Sequence, residues 1–371
     1  MEAAGLSRFR ARQERRLGQD RTNRRGNGTA ALTKILTIIV NYRTPELVEK
    51  CLAALASERS GDAGLSAILV DGNSGDGSAE RLAGFLARTG FDGWTDLLPL
   101  DFNGGFGWAN NQAILSRGTN LPDYIYLLNP DAEVTPGAVA SLAAVLDTHP
   151  RVAAVGSQLI EADGAPAASA FRFPSPGREF VRGSQTFALH RLLGIPPIVL
   201  VPDEAGPVGW VTGASVMLRR DALAATGLFD DGFFLYFEEV EMMRRLTRGG
   251  WQIWCEPQSR VRHIGGASTG VDGKQVRKPK PAYWFASRNR YFTRSGGAAY
   301  ACLANLAWLS GFALIGGPRM LLSRTARANA TAGETRGIIQ EGIWPAARHR
   351  RASIARIGSA FGQLPRWAED S

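Results

Sequence analysis

The sequence predicts an α/β fold with a mostly parallel central sheet flanked by helices. Three observations carry that expectation. From Lys34 onward, short β-rich runs alternate with amphipathic helices, as successive βαβ units require. Polar and glycine-rich punctuation follows the strands, where such sheets turn into helices. The 371 residues, 44% hydrophobic and 21% charged, are enough for one large α/β unit or two modest ones.

Residues 35–41 form the first predicted strand. Thr44-Pro45 then offers an N-cap and a proline at the first helical position, and Leu47, Val48, Cys51, Leu52 and Leu55 share one face of the helix that follows. A second strand, 67–71, runs into Gly72-Asn73-Ser74-Gly75-Asp76-Gly77-Ser78, a turn that caps a helix starting near Ala79. A short strand near 97–100 leads to Asn103-Gly104-Gly105-Phe106-Gly107 and a helix over 108–117. The aromatic and aliphatic strand 124–128 closes on Asn129-Pro130-Asp131. Helix 136–148 and strand 152–155 follow. Residues 162–207 have weak periodicity and several prolines, an excursion between two halves. Regular pattern returns with a strand at 210–218, a helix after Arg220, a helix over 239–248, and strands near 252–255 and 260–263.

The net charge of +9 is unevenly placed. Residues 1–25 carry +5, residues 319–371 another +5 and residues 271–294 carry +6, which leaves an acidic body of −7. Such a body repels a polyphosphate unless a metal ion intervenes, whereas basic flanks suit an anionic membrane surface. The N-terminus has no apolar core of a secretory signal and reads as a disordered basic arm. Cys51, Cys255 and Cys302 are too scattered for a disulfide framework or a cysteine metal cluster, which points to a reducing compartment. Between Arg294 and Arg319 lie 24 uncharged residues. That length admits a bilayer span, an interfacial helix or a core helix.

Ligands of open parallel sheets bind beyond the carboxyl ends of the strands. Asn41-Tyr42, Asp71, Asn103-Gly104-Gly105 and Asn129-Pro130-Asp131 all fall there, although each is also an ordinary turn or cap. Tyr42 could stack on a nucleobase and Asp71 accept its N–H groups. No glycine-rich phosphate loop is present, so a divalent ion on oxygen ligands is the alternative device, with Asp131 placed to bind it. His263 ends a strand before Ile264-Gly265-Gly266 and reads either as a further ligand or as a structural histidine. Glu238-Glu239, after Phe233-Phe234-Leu235-Tyr236-Phe237, reads either as a general base in an apolar frame or as an acidic helix start.

The stretches Ile39-Val40-Asn41-Tyr42, Val70-Asp71-Gly72-Asn73-Ser74-Gly75-Asp76, Asn103-Gly104-Gly105-Phe106-Gly107, Leu128-Asn129-Pro130-Asp131, Trp210-Val211-Thr212-Gly213-Ala214 and Gly227-Leu228-Phe229-Asp230 through Glu238-Glu239 occur in this order. Together they resemble the family 2 glycosyltransferases of GT-A fold. Within that family the chain looks most like bacterial rhamnosyltransferases of cell-surface polysaccharide assembly. The resemblance covers roughly residues 34–295.

It implies an inverting transfer of a sugar such as L-rhamnose from a nucleotide-diphospho-sugar donor to a glycan or polyprenyl-linked acceptor. By that likeness Asn41, Tyr42, Asp71, Asn103, Gly104, Gly105, Asn129 and Asp131 bind the donor nucleotide, and Trp210, Thr212 and Gly213 shape the sugar and acceptor pocket. Asp131 and His263 would hold Mg²⁺ or Mn²⁺, and Glu239 beside Glu238 would be the catalytic base. Two departures stand out: Asn129 replaces the first aspartate of the family's D-x-D, and Glu239 replaces the usual aspartate. The implied organisation is a disordered basic arm (1–33), a nucleotide-sugar-binding half (34–135), an acceptor and catalytic-base half (136–270) and a basic, apolar helical C-terminal extension (271–371). The implied place is cytoplasmic, peripheral or monotopic at the inner face of the cell membrane, with no nucleic acid partner. A nucleotidyltransferase on sugar phosphates is a rival with the same sheet, but Asn41-Tyr42-Arg43-Thr44-Pro45 is not its glycine- and lysine-rich loop. A non-enzymatic adaptor using the basic tails is a rival of another class.

Overall fold

Strands that are apolar on both faces must be covered on both, and this requirement organises the first half of the chain. In the computed structural model β1 (Ile35–Asn41) pairs in parallel with β2 (Leu65–Asp71), so that Asn41 lies opposite Asp71 at the strand ends. The helices α1 (Pro45–Ser57) and α2 (Ser78–Thr89) connect them to each other and to β3 (Thr95–Pro99), which extends the sheet beyond β2. After α3 (Phe106–Leu115), β4 (Tyr124–Leu128) joins the other side of β1, also in parallel. Alternate strand residues feed two cores. Leu36, Ile38, Ile125 and Leu127 pack with Ala109, Ala113 and Ile114 of α3. Ile35, Ile39, Tyr126 and Leu128 pack with Val48, Cys51, Leu52 and Leu55 of α1. The structure describes residues 34–59, 64–186, 188–263, 279–324, 333–342 and 351–369. The basic arm, Ile264-Gly265-Gly266 and the first part of the basic 271–294 segment lie outside them.

The second half completes the sheet with mixed pairing. β5 (Ala132–Val134) is followed by α4 (Ala138–Thr148) and the fully buried β6 (Val152–Ile160). The 162–207 excursion contains β7 (Ala170–Phe171), α5 (Pro176–Ser184), α6 (Ala188–Leu192), β8 (Val199–Leu200) and, at its end, β9 (Gly206–Val208). The single strand expected at 210–218 is two. β10 (Trp210–Val211) joins β7 and β8 in a small sheet, while β11 (Ser215–Arg219) runs antiparallel between β4 and β6. Thr212-Gly213-Ala214 is the crossing between the sheets.

The helices α7 (Arg220–Thr226) and α8 (Glu238–Arg248) then lead to β12 (Gln252–His263), one irregular strand where two were expected. It pairs with β6 in parallel and its end pairs with β5 in antiparallel, placing His263 opposite Ala132. The main sheet runs β3-β2-β1-β4-β11-β6-β12-β5, with β9 on β12.

The C-terminal region is built into the body. α9 (Ala282–Gly311) breaks at Gly296 and Gly297, the latter at φ +82°. Before the break Arg288, Asn289 and Arg290 are buried; after it Ala301, Ala304, Asn305, Trp308 and Gly311 face inward. Arg288 donates to Glu179 of α5 at 2.6 Å and to Asn305. Burial alone would raise the Glu179 carboxyl, but Arg182 and Arg288 hold it down at about 2. Helical residues continue through α10 (Gly317–Leu322), and Arg182 and Lys280 both reach Glu334 of α11 (Glu334–Gly342). By length and composition the stretch Ala282–Leu322 could cross a membrane. The structure gives it two faces instead: one packed on α5, the other exposing Leu303, Leu306, Leu314, Leu321 and Leu322.

At two glycines the packed face leaves no room for a side chain. A Cβ on Gly311 would lie 2.0 Å from the Phe180 carbonyl oxygen, and one on Gly183 2.1 Å from that of Trp308. Gly311→Ala is therefore expected to push α9 away from α5 and cost about 1–3 kcal/mol, read as a lower urea midpoint with an unchanged slope.

Candidate active site

The first wall of the site is the end of β1 against the end of β2. Asn41 donates from Nδ2 to Asp71 Oδ1 at 2.7 Å, and Ser74 reaches the same oxygen at 2.6 Å. The Ser74 backbone N–H donates to Asp71 Oδ2 at 3.0 Å. The Oδ1 of Asn41 accepts from the Thr44 backbone N–H at 3.1 Å and from its hydroxyl. Thr44 thus sits at the N-cap position, but its hydroxyl serves Asn41 rather than the helix. Asn41 is wholly buried with both ends of its amide engaged, so its side chain supports the rim. Asp71, opposite it on β2, is also buried, and its Oδ2 accepts the Ser74 N–H with one lone pair left over. Tyr42 is exposed beside it, with the Arg43 guanidinium 5.2 Å from its ring centroid. Arg43, at φ +58°, donates twice to Ser74.

Asn103-Gly104-Gly105 is a docking surface for the second half. A Cβ on Gly105 would lie 1.7 Å from the Phe234 carbonyl oxygen, which instead accepts the Phe106 N–H at 3.2 Å. Gly104 lies against the Trp108 ring, and Asn103 accepts the Gly105 N–H at 3.1 Å. These glycines are required by packing, so their expected contact with the nucleotide is not what fixes them.

Asn129-Pro130-Asp131 turns at the end of β4. The Asn129 N–H donates to the Ala214 carbonyl at 2.9 Å, and its own carbonyl accepts from Ala132. The β12–β5 register then delivers His263, whose Nε2 is 3.1 Å from Asp131 Oδ1 and 3.5 Å from Asn129 Nδ2. The structure thus brings together three residues that are up to 134 positions apart. Ligands of one octahedral ion at right angles lie about 3.0 Å apart when each bond is 2.1 Å, so the 3.1 Å spacing fits two donors on one cation. Among the described residues no third His, Cys, Asp or Glu joins them. A donor's phosphate oxygens and water would have to complete the set.

Glu238 and Glu239 open α8 after Tyr236 and Phe237, two successive non-glycine residues in the left-handed region at φ +69° and +67°. The strain is held by contacts on every side. The Leu235 carbonyl accepts from Ser287 at 2.9 Å, and the Phe237 ring packs on Trp284 and Tyr291. Glu238 lies over Gly107 of α3, and Glu239 lies over Gly213. Each keeps one Oε2 buried without a hydrogen-bond partner. Burial pushes Glu239 up to about 7, and burial together with the Glu239 charge pushes Glu238 well above the carboxylate range. An acid so placed is matched to proton transfer near neutrality.

Of the remaining candidates, Thr212 and Gly213 sit at the crossing next to Glu239. The Trp210 ring is stacked on Phe171 at 4.2 Å and its N–H donates to the Arg172 carbonyl, so it is a wall of the small sheet. Sequence reasoning missed Ser74, Arg43 and the Phe234 carbonyl. It also missed Asp230, wholly buried and paired with Arg290 at 2.7 Å. Ser74 was readable as a turn hydroxyl three residues after Asp71; the others had no local signal.

Comparison with known proteins identifies the family and the fold. Residues 37–188 match the model of the glycosyl transferase family 2. The chain is 30% identical over 259 residues to an N-acetylglucosaminyl-diphospho-decaprenol L-rhamnosyltransferase of Mycobacterium tuberculosis, covering 65% of this chain and 80% of that protein. It is 28% identical over 187 residues to the O-antigen biosynthesis protein RfbC of Myxococcus xanthus, over 48% of this chain and 13% of that one. The fold is shared with a mannosyltransferase from Pyrobaculum calidifontis solved with GDP-Man and Mn²⁺, at TM-score 0.50 and 15% identity over 88% of this chain and 87% of that one. It is shared too with GalNAc-T7 bound to UDP, GalNAc and Mn²⁺, at TM-score 0.53 and 14% identity over 84% and 57%. With this sheet, this rim and these relatives, the chain belongs to the family 2 glycosyltransferases and has their GT-A fold.

Proposed function

We propose that the rim catalyses inverting transfer of a sugar, L-rhamnose, from a nucleotide diphosphate to a hydroxyl of a polyprenyl-diphosphate-linked glycan during envelope polysaccharide synthesis. The observation that carries the reading is the pair Glu238-Glu239, buried with unpartnered oxygens and joined through Gly213 and Ala214 to the Asp131–His263 pair. The mycobacterial relative's name supports the choice of sugar and acceptor. Tyr42 offers its exposed ring to the base, and Asp71 the free capacity of Oδ2. Glu239 takes the proton of the acceptor hydroxyl as its oxygen attacks the anomeric carbon and the nucleoside diphosphate leaves. A divalent cation bound by Asp131 and His263 would supply Lewis-acid stabilisation of the leaving diphosphate. The imidazole in that set suits Mn²⁺ better than the strictly oxygen-seeking Mg²⁺, and both structural neighbours above hold Mn²⁺. The loop after β1 has no glycine and turns inward onto Ser74, which disfavours the nucleotidyltransferase reading.

The exposed stripe Leu303, Leu306, Leu314, Leu321 and Leu322, with Arg319 and Arg324 flanking its last two leucines, suits an anionic leaflet and favours peripheral or monotopic attachment at the inner face of the membrane. Full-length protein should float with anionic liposomes at low salt. Leu314→Asp with Leu321→Glu, both exposed, should leave it at the bottom of the gradient. Flotation of both proteins alike would contradict membrane attachment through this stripe.

Transfer assays with UDP-, dTDP- and GDP-sugars, with and without Mn²⁺, test the reaction itself. Glu239→Gln should lower transfer by about 10²–10⁴ while donor binding survives. In the wild type, activity should rise with pH as Glu239 ionises near 7. Because burial raises this carboxyl, its ionisation costs stability as pH climbs from the unfolded value of 4.5 through 7, so Glu239→Gln should be at least as stable as wild type at pH 8. Wild-type turnover in Glu239→Gln would sink the assignment.

Asp131→Asn and His263→Ala should each weaken the response to Mn²⁺, and the double variant should lose less than the sum of the two. Full activity in EDTA would refute a shared ion.

A further inference from the structure

The loop that presents Glu238 and Glu239 is fastened from outside the two halves of the site. Asp230 at its start accepts from Arg290 at 2.7 Å and from the Ser353 N–H at 3.0 Å. The Asp231 N–H donates to the Ser353 carbonyl, and the Leu228 N–H to that of Ala355. A segment at the far end of the chain therefore lies along residues 228–231 like an added strand, with Asp230 bridging Ile354.

The same segment continues to the other loop. The Gly362 N–H donates to Gln112 of α3 at 2.7 Å, and the Gln363 carbonyl accepts from the Trp108 indole at 2.9 Å. In α12 (Arg366–Glu369), the Trp367 indole N–H donates to the Asp231 carbonyl at 3.0 Å. Its ring lies 5.6 Å from that of Phe102 and edge-on to that of Phe234 at 5.8 Å. Phe102 immediately precedes Asn103-Gly104-Gly105, and Phe234 supplies the carbonyl against which Gly105 packs.

We propose that Trp367 is a positioning residue for the catalytic base: wedged between Phe102 and Phe234 and bonded to Asp231, it locks the base-bearing loop onto the donor-side loop. This rests on the assignment of Glu239 above. The physical case is the strain at Tyr236 and Phe237. Two consecutive left-handed aromatic residues are strained and persist only where surrounding contacts outweigh that cost. The hydrogen bonds at Leu235 and Phe234 restrain the loop's far side, and the C-terminal segment restrains its near side. Removing Trp367 leaves Phe102 and Phe234 without the ring between them and lets the loop relax away from the geometry that aims the carboxylates.

The test uses the full-length chain carrying Trp367→Ala or Trp367→Phe. It measures sugar transfer with the donor and acceptor found active above, and hydrogen exchange of the backbone. Trp367→Ala should lower kcat by about 10–100-fold, since a displacement near 1 Å is enough for that, with the donor KM within about threefold of wild type by the same reasoning that donor contacts are untouched. Exchange should quicken at residues 231–237 and stay unchanged in the strands of the main sheet. Trp367→Phe keeps an aromatic ring between Phe102 and Phe234 but loses the bond to Asp231, and should recover part of kcat. Wild-type kcat together with wild-type exchange at 231–237 in Trp367→Ala would overturn the proposal. So would a loss of protection spread through the main sheet in both variants, since that marks a purely structural role. The exchange measurement does not depend on turnover, so full activity in Glu239→Gln would remove the base assignment while the clamp on the loop is still read directly.

Discussion

A charge that is fully removed from water has to be matched, and the match between Asp230 and Arg290 is the constraint on which the rest of this molecule hangs. Asp230 has no exposed surface and lies eight residues before Glu238; Arg290 belongs to α9, beyond the whole sheet in sequence. Removing one partner of such a pair costs about 3–5 kcal/mol, because the other is left buried and uncompensated. The pair therefore fixes where α9 can lie, and α9 in turn carries Ser287, Trp284 and Tyr291 to the loop of Tyr236 and Phe237. A second match, Glu179 with Arg182 and Arg288, ties the same helix to α5. Two buried acids thus anchor one helix to the second half of the body at two separate points.

The chemistry is assembled by strand register more than by local motif. Asn41 meets Asp71 because β1 and β2 pair residue for residue. His263 meets Asp131 because the end of β12 returns antiparallel along β5. Gly213 meets Glu239 because the chain changes sheets between β10 and β11. A slip of one residue in any of these ladders would turn the functional side chain to the opposite face. The buried thiol of Cys51, donating to the Asn129 carbonyl at 3.4 Å, stiffens the Asn129-Pro130-Asp131 turn.

Much of this was legible in the sequence. Strands 35–41 and 124–128 were readable residue for residue because continuous apolar runs closed by Asn or Asp leave no other choice. Helix faces followed from their spacing, with Val48, Cys51, Leu52 and Leu55 buried as expected and Leu47 only partly so. The candidate site residues stood out because polar groups at strand ends are conspicuous. Their supports were not conspicuous. That Asn41 turns inward is decided by Ser74 and Thr44, whose reach depends on backbone angles. That Gly105 touches Phe234, and that Trp367 reaches Asp231, depends on a fold bringing together residues more than a hundred positions apart. The broken strand at 210–218 escaped notice because local pattern does not say which of two sheets each half joins.

The left-handed pair Tyr236 and Phe237 also bears on how this chain would respond to selection for heat resistance. Glycine at either position would relieve backbone strain in the folded state, but it would also delete a ring whose contacts outweigh that strain, Tyr236 on Tyr283 or Phe237 on Trp284 and Tyr291, so it brings no net gain in melting temperature. The same change frees the turn that aims two ionisable groups from the mouth of α8. In this fold, thermal robustness and the aim of those groups rest on the same two adjacent aromatic residues, and a library built for either trait has reason to fix both as they stand.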